Sequence, residues 1–299
     1  MRRALKWVGI VLGSLIGLLI IAYVAVVIIV NQRANREYDV PAADLTIPTD
    51  AESIAEGQRL IAIRGCSGCH GNDYSGQLLI DDPALGTFYT ANLTGGAGSR
   101  TAEFTAADWD RAIRHGVGPD GKPLWVMPSQ EYARISNQDL SLMIAYLESL
   151  PAVDNERPEQ RLGPMGHVLV ATGQLPAFSA EVIDHDNPPP DVVEAEVSVA
   201  YGEYLATTCT GCHGENFAGG PIPGAPPDHP HSANLTPGGE LANWTEEDFI
   251  NTLRTGVTPE GEQLDPEVMP WPIAEQMTDE DLRAIWLYLQ SLDPVEPES

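Results

Sequence analysis

The chain has 299 residues, 43% of them hydrophobic, enough for about two globular domains with ordinary cores. Its 43 acidic residues outweigh 16 basic ones, a formal net charge of -27, which excludes nucleic acid as a partner because no basic stripe is available to meet phosphates. Composition leaves two uses of the acidic surface open, solubility in high salt and steering of basic partners.

Residues 1–6 carry Arg2, Arg3 and Lys6 and precede 24 uncharged residues, Trp7 to Val30. About 20 apolar residues cross a bilayer as a helix, so 7–30 is predicted to be a single membrane-spanning helix. A cleaved signal peptide would have a shorter apolar run ending in an A-x-A-like site. Gly9, Gly13 and Gly17 fall on one face at four-residue spacing, where a partner helix could approach closely, although glycine is common in membrane helices anyway. Residues 31–50, with Pro41 and Pro48 and no sustained apolar period, read as a tether.

A compact module is expected over 51–152, and its landmarks return in order over 197–294. Gly57-Gln58-Arg59-Leu60 leads into Cys66-Ser67-Gly68-Cys69-His70, as Gly202-Glu203-Tyr204-Leu205 leads into Cys209-Thr210-Gly211-Cys212-His213. At Cys-x-x-Cys-His spacing, two thiols on one helical turn add to the vinyl groups of a porphyrin and the histidine reaches its iron. These pentapeptides use all four cysteines. A thioredoxin-like dithiol would need a strand-helix context. Structural zinc would want both pairs in one small module, and here they lie 143 residues apart. Cys66, Cys69, Cys209 and Cys212 are therefore predicted to hold two covalent haem c groups, with His70 and His213 on the irons.

Ala91-Asn92-Leu93-Thr94 returns as Ala233-Asn234-Leu235-Thr236. Helix starts of the S/T-x-x-D type follow at Thr105 and Thr245, with glycine stops at Gly116 and Gly256. The last helices are predicted over Ser136–Leu150 and Thr278–Leu292, with apolar stripes Leu140, Ile144, Leu147 and Leu282, Trp286, Leu289. Before them each module has one Met-Pro. Met127 and Met269 lie 57 and 56 residues after the ligand histidines, and their recurrence makes them the predicted sixth iron ligands rather than core fillers. Met143, Met165 and Met277 have no methionine at the matching position and are assigned to packing. His115, His167, His185, His229 and His231 do not recur and are assigned to surface or loop. Arg114 and Arg254 do recur, near a haem propionate or as cations at a helix C-terminus. The connector 153–196 contains the apolar Leu162–Val170 and the stiff Asn187-Pro188-Pro189-Pro190 run, and is expected to pack against the modules. Residues 295–299 form a short tail.

On the Cys-x-x-Cys-His pairs, the Asn-Leu-Thr segments, the Gly-Val-x-Pro-x-Gly turns from Gly116 and Gly256 and the Met-Pro pairs, the chain resembles the cytochrome c family. The likeness is to cytochrome subunits of bacterial membrane-bound alcohol or aldonate dehydrogenases. The resemblance implies an all-α fold, two tandem cytochrome c domains after one N-terminal transmembrane helix, with His/Met ligation and electron transfer rather than substrate chemistry. It also implies modules completed outside the cytoplasm, so that the N-terminus is cytoplasmic and the haem domains periplasmic or extracellular. The expected partners are a redox donor and an acceptor, such as a membrane-bound dehydrogenase or oxidase. Those subunits commonly carry three haem modules, whereas this chain has two. A dihaem peroxidase or gas-binding sensor would need one exchangeable iron ligand, against which the two matched Met-Pro loops argue. A terminal-oxidase subunit would need further membrane segments.

Overall fold

The computed structural model describes residues 2–223, 225 and 228–295, so Met1 and residues 296–299 of the predicted tail lie outside the described residues. The chain opens with α1, Arg2–Ala34, which runs past the predicted apolar stretch at both ends. At 1.5 Å per residue it is about 50 Å long, and 6% of its most apolar window is buried by the protein. A Cβ added at Gly9, Gly13 or Gly17 would meet nothing within 4 Å, so that face is open to a partner helix. Residues 35–50 have no regular structure but are pinned to the first module. The Tyr38 amide donates to the Gly121 carbonyl at 2.9 Å and the Ala43 amide to Asp110 Oδ2 at 2.6 Å.

The first module comprises α2 (Ala51–Ile63), α3 (Cys66–His70), α4 (Ala106–His115), α5 (Ser129–Tyr132) and α6 (Asn137–Ser149). Between α3 and α4 the chain makes a hairpin, β1 (Leu78–Asp82) and β2 (Gly86–Tyr89), and the connector adds β3 (Arg161–Leu162). All pairings are antiparallel, in the order β1-β2-β3, with Ile80 opposite Phe88 and Gly86 opposite Leu162. This small sheet is an addition to the helical fold expected from the sequence. The connector continues into α7 (Pro164–Ala171). The second module repeats four of the helices, as α8 (Val199–Ala206), α9 (Thr210–His213), α10 (Glu246–Thr255) and α11 (Asp279–Ser291), with a 3-10 turn over Trp271–Gln276 in place of α5 and no hairpin among its described residues.

Local sequence sets the helix ends. Thr105 Oγ1 accepts the Asp108 amide at 3.3 Å while Asp108 Oδ2 accepts the Thr105 amide at 2.9 Å. Thr245 and Asp248 repeat the exchange at 3.2 and 2.9 Å, and such caps contribute about 0.5–2 kcal/mol each. Gly116 and Gly256 stop α4 and α10 in the left-handed conformation, at φ 64° and 70°. The last helices start after Ser136 and Thr278 and bury the predicted stripes.

In each module the first helix crosses the last, α2 on α6 and α8 on α11. The crossing is closed by a glycine: a Cβ on Gly57 would overlap the Leu142 carbonyl, and one on Gly202 would overlap that of Ala284. Around these crossings Leu60, Ile61, Ile144 and Leu147 of one module join Leu205, Leu282, Ile285 and Leu289 of the other in one continuous core.

The modules meet through equivalent residues. Arg59 and Tyr204 occupy the same repeat position, and so do Asp139 and Asp281. Arg59 Nη1 donates to Asp281 Oδ2 at 2.7 Å, and Tyr204 Oη donates to Asp139 Oδ2 at 2.6 Å. Each module thus bonds the aspartate in the first turn of the other's last helix. Arg64, 2% exposed, lies at the centre. Its Nη1 donates to Thr207 and Thr208 hydroxyls at 3.0 and 3.1 Å, and its guanidinium lies 4.9 Å from the Tyr204 ring centroid. Beside it Glu131 of α5 reaches the second attachment turn, where a Cβ on Gly211 would meet its carboxylate. Burial pushes the Glu131 carboxyl up to about 7.

Alanine is intrinsically favoured over glycine inside a helix by about 0.5–1 kcal/mol, whereas overpacking a tight contact costs about 1–3 kcal/mol. Gly57→Ala and Gly202→Ala are each expected to lower stability in denaturant titrations of the haem-loaded protein, and a gain would contradict the crossing geometry. Because the folded state holds the Glu131 proton more tightly than the unfolded chain, stability is lost as pH rises from about 4.5 to about 7. Denaturation midpoints of Glu131→Gln should therefore gain on the parent across that window and run parallel above it. A margin independent of pH would refute the assignment.

Candidate haem-binding sites

Each attachment motif is a single helical turn between glycines or small residues. In the first, α2 ends at Arg64 and Gly65 turns left-handed at φ 69° before Cys66–His70, which stops at Gly71, φ 79°. In the second, a short 3-10 turn over Thr207–Cys209 feeds α9, which stops at Gly214, φ 76°. Three-residue spacing on such a turn puts both sulfurs on one face.

The residues just after the histidines form a second repeat that lies outside the attachment motifs. Gly71-Asn72-Asp73-Tyr74-Ser75-Gly76 corresponds to Gly214-Glu215-Asn216-Phe217-Ala218-Gly219. Tyr74 and Phe217 both take φ 58°, and the Gly76 and Gly219 amides return to the His70 and His213 carbonyls at 2.8 and 3.0 Å. A Cβ at either glycine would strike the strand carrying Ala91 or Ala233. The signal was present in the sequence as glycines at one and six residues after each histidine.

That close approach places a carbonyl beside each imidazole. His70 Nδ1 lies 2.9 Å from the Ala91 oxygen and His213 Nδ1 lies 2.8 Å from the Ala233 oxygen. With Nδ1–H donating to the carbonyl, Nε2 is left as the lone-pair nitrogen, the arrangement by which ligand histidines are oriented. Burial holds both rings below the ordinary histidine value and so neutral. The strand is itself latched. Asn92 Nδ2 donates to the Val153 carbonyl at 2.8 Å and its Oδ1 accepts the Thr94 amide at 2.9 Å. Asn234 does the same with Val295 and Thr236, at 2.6 and 2.9 Å.

The thiols behave differently from a redox pair. Burial pushes Cys66 up to about 12 and Cys209 up to about 11, whereas reactive dithiols have depressed values.

In the first module Cys66, Cys69 and His70 line a cavity of about 1330 Å³ that Met127 also lines, with Phe88, Trp109 and Ile113 among its apolar walls. It exceeds the ~300–1,000 Å³ of ordinary small-molecule pockets and combines paired thiols, a neutral imidazole and a thioether in an apolar enclosure. That donor set fits a haem. Met143 lines it as well. In the second module Met269 is half-buried in the matching loop, and the indole nitrogens of Trp244 and Trp271 are buried without an acceptor. A group with carboxylate arms would satisfy such donors, whose isolation otherwise costs about 1–3 kcal/mol each.

Arg114 is not among the residues that line the cavity. It is 1% exposed, and its Nε donates to Asp110 at 2.5 Å while Nη1 donates to the Ile135 carbonyl and Asn137 Oδ1 at 3.1 and 2.8 Å. Arg254 likewise donates to the Ala274 and Met277 carbonyls and to Asp279. Both arginines recur because they clamp the end of one helix to the backbone preceding the last. The cations that do line the cavity are Arg100, Lys122 and Arg157, together with Asn31, Ala34 and Asn35 from the end of α1. None of these was marked by a motif. His115 and His185 face each other, Nδ1 to Nδ1, at 3.0 Å, away from either attachment turn in sequence.

The cytochrome c family profile matches this chain twice, at residues 54–151 and 199–293. The cytochrome c subunit of a quinone alcohol dehydrogenase from Gluconacetobacter polyoxogenes is 28% identical over 279 residues, which cover 84% of this chain and 58% of that subunit. The fructose dehydrogenase cytochrome subunit of Gluconobacter japonicus is 27% identical, covering 86% and 57% respectively. A dihaem c-type cytochrome of Cereibacter sphaeroides is 27% identical, covering 81% of this chain and 86% of that one. The chain thus spans a little over half the length of the dehydrogenase subunits it matches. Among solved structures, reduced recombinant cytochrome c4 from Pseudomonas stutzeri is 19% identical over 82% of this chain and all of that one, at a TM-score of 0.23, too loose a superposition to carry weight. With both attachment motifs inside the matched segments, the chain belongs to the cytochrome c family and carries two cytochrome c domains.

Proposed function

We propose that this chain is a membrane-anchored dihaem cytochrome that passes single electrons from a membrane-bound dehydrogenase or other respiratory donor to a downstream acceptor. One haem c is held by Cys66 and Cys69 with His70 and Met127 as axial ligands, and the other by Cys209 and Cys212 with His213 and Met269. The observation that carries the reading is the matched imidazole-to-carbonyl hydrogen bond behind both attachment turns. It supports a fixed, neutral ligand nitrogen in each module.

Bound haem supplies the one-electron iron couple. The protein's part is to hold the histidines neutral and oriented, to enclose the group in apolar walls that keep water out, and to offer thioethers, which favour the reduced iron and raise the potential. The net charge of -27 selects docking partners by sign and makes exchange with a basic partner slow as salt rises. The apolar α1 supports a single-pass anchor, with the N-terminus cytoplasmic and the haem domains on the periplasmic or extracellular side. The dehydrogenase subunits among the relatives support a partner of that class.

One observation favours a second reading at the first module alone. Val126, next to Met127, sits at φ 61°, a conformation that costs a β-branched residue about 1–3 kcal/mol, and Val268 beside Met269 has no such value. Met127 is therefore the ligand that would open if the protein bound a gas or acted as a peroxidase.

The test is a redox titration of the haem-loaded protein with carbon monoxide added to the reduced form. Two low-spin haems without a carbon monoxide shift are expected in the parent. Met127→Leu should leave both haems attached, lower one midpoint potential and open that iron to carbon monoxide, and Met269→Leu should do the same at the other. A carbon monoxide shift in the parent would favour the second reading, and an unmoved spectrum in either variant would remove that methionine from the ligand set.

A further inference from the structure

The connector helix α7 packs on α1 and on the β1–β2 turn of the first module. Val30 and Val170, 1% and 0% exposed, share a buried cluster with Ala177 and Phe178. Arg33 closes it from above, with Nη1 donating to the Val170 carbonyl at 2.6 Å and Nε and Nη2 gripping Glu181 at 2.8 and 2.6 Å. Lower down, the His167 and Tyr23 rings meet edge to face with centroids 6.1 Å apart. The N-terminal end of α7 is thus directed back along α1, away from its last charged residues.

Its level can be worked out from lengths. The uncharged run Trp7–Val30 is about 36 Å long as a helix, against a hydrocarbon core of about 30 Å. Even with all the excess on the module side, the core would reach to about residue 26. Tyr23, three residues earlier, then lies about 4–5 Å inside it, and deeper if the excess is shared. A helix in contact with Tyr23 has to share that level. The composition of α7 suits it: Pro164-Met165-Gly166-His167-Val168-Leu169-Val170-Ala171 contains no acidic or basic residue other than its histidine, and Met165 is 49% exposed. Gly163 and Gly166 fit tightly against the Ala84 and Leu85 carbonyls, so the β1–β2 turn rides on the N-terminal end of α7, and Asp81, Asp82 and Arg161 beside it limit how deep that end can sit. The same end of α1 supplies Asn31, Ala34 and Asn35 to the first module's cavity, and Asn35 Oδ1 accepts from Lys122 at 3.2 Å.

We propose that α7 is immersed in the outer leaflet beside α1, its exposed face covered by lipid, so that the first haem cavity opens at the membrane surface. The inference rests on the reading of α1 as a membrane anchor. The first haem is then placed for exchange with a membrane-embedded partner, and the second module is left to the aqueous side.

The test uses full-length, haem-loaded protein in phosphatidylcholine and phosphatidylglycerol nanodiscs, spin-labelled at single added cysteines. Ile16→Cys reports the anchor, Met165→Cys reports α7, and Val199→Cys on α8 reports the aqueous side. These positions are 57%, 49% and 45% exposed, so the label displaces little, and the unsubstituted protein controls for label uptake by the native cysteines. Collision with oxygen and with a water-soluble nickel chelate is read for each. The expected result is loss of nickel broadening at Met165, with a depth between those of Ile16 and Val199. A Met165 label as open to nickel as Val199, with Ile16 protected, would overturn the inference and leave the anchor standing. If Ile16 were also open to nickel, the anchor reading would fall and this inference with it.

Discussion

The hydrogen bond between the histidine Nδ1 and a backbone carbonyl is the constraint around which each module is built. To bring the Ala91 or Ala233 carbonyl within 3 Å of the ring, the chain after the motif has to pass through three residues of positive φ and approach an extended segment with no room for a side chain. Gly71, Gly76, Gly214 and Gly219 meet that demand, and the Asn-x-Thr latches hold the strand against the segment that follows the last helix. The glycine-closed crossings of α2 on α6 and α8 on α11 fix the other side of the same enclosure. Ligand orientation, helix packing and chain closure are therefore one linked set of contacts in each repeat.

The repeats are also coupled to each other. The residue two places after the crossing glycine, Arg59 in one module and Tyr204 in the other, reaches the first-turn aspartate of the opposite last helix. The contact is close to self-complementary, as when two copies of one unit meet about a two-fold axis. The substitution of tyrosine for arginine breaks that symmetry electrostatically. It leaves Arg64 as the buried cation between the attachment turns and Glu131 as a carboxyl with a raised proton affinity nearby. Two chemically matched sites thus sit in unlike surroundings, a sufficient physical basis for two different potentials.

The long apolar helix and the first cavity meet at the end of α1. Arg33 joins the connector to the anchor, and the next residues, Ala34 and Asn35, face the first cavity. The segment after α1 is held rather than loose, through Tyr38 and Ala43, so the first module cannot swing freely about α1. The strain at Val126 falls on this module and not on the other.

The sequence alone was enough for the attachment motifs, the doubled module, the helix caps and stops and the apolar first helix. These are written in residues within a few positions of one another, where covalent geometry and local hydrogen bonding decide the outcome. The glycines at Gly76 and Gly219 were equally local and could have been read. What only the tertiary structure decided are contacts between residues far apart in the chain: Arg59 with Asp281, 222 positions away, Arg33 with Glu181, 148 away, and the clamp that takes Arg114 from the cavity while Arg100 and Arg157 line it. A recurring arginine has one sequence signature whether it meets a propionate or a row of carbonyls. Likewise, an apolar connector looks the same whether it will cover a module or lie along a membrane helix, because hydrophobicity specifies burial without naming the surface that provides it.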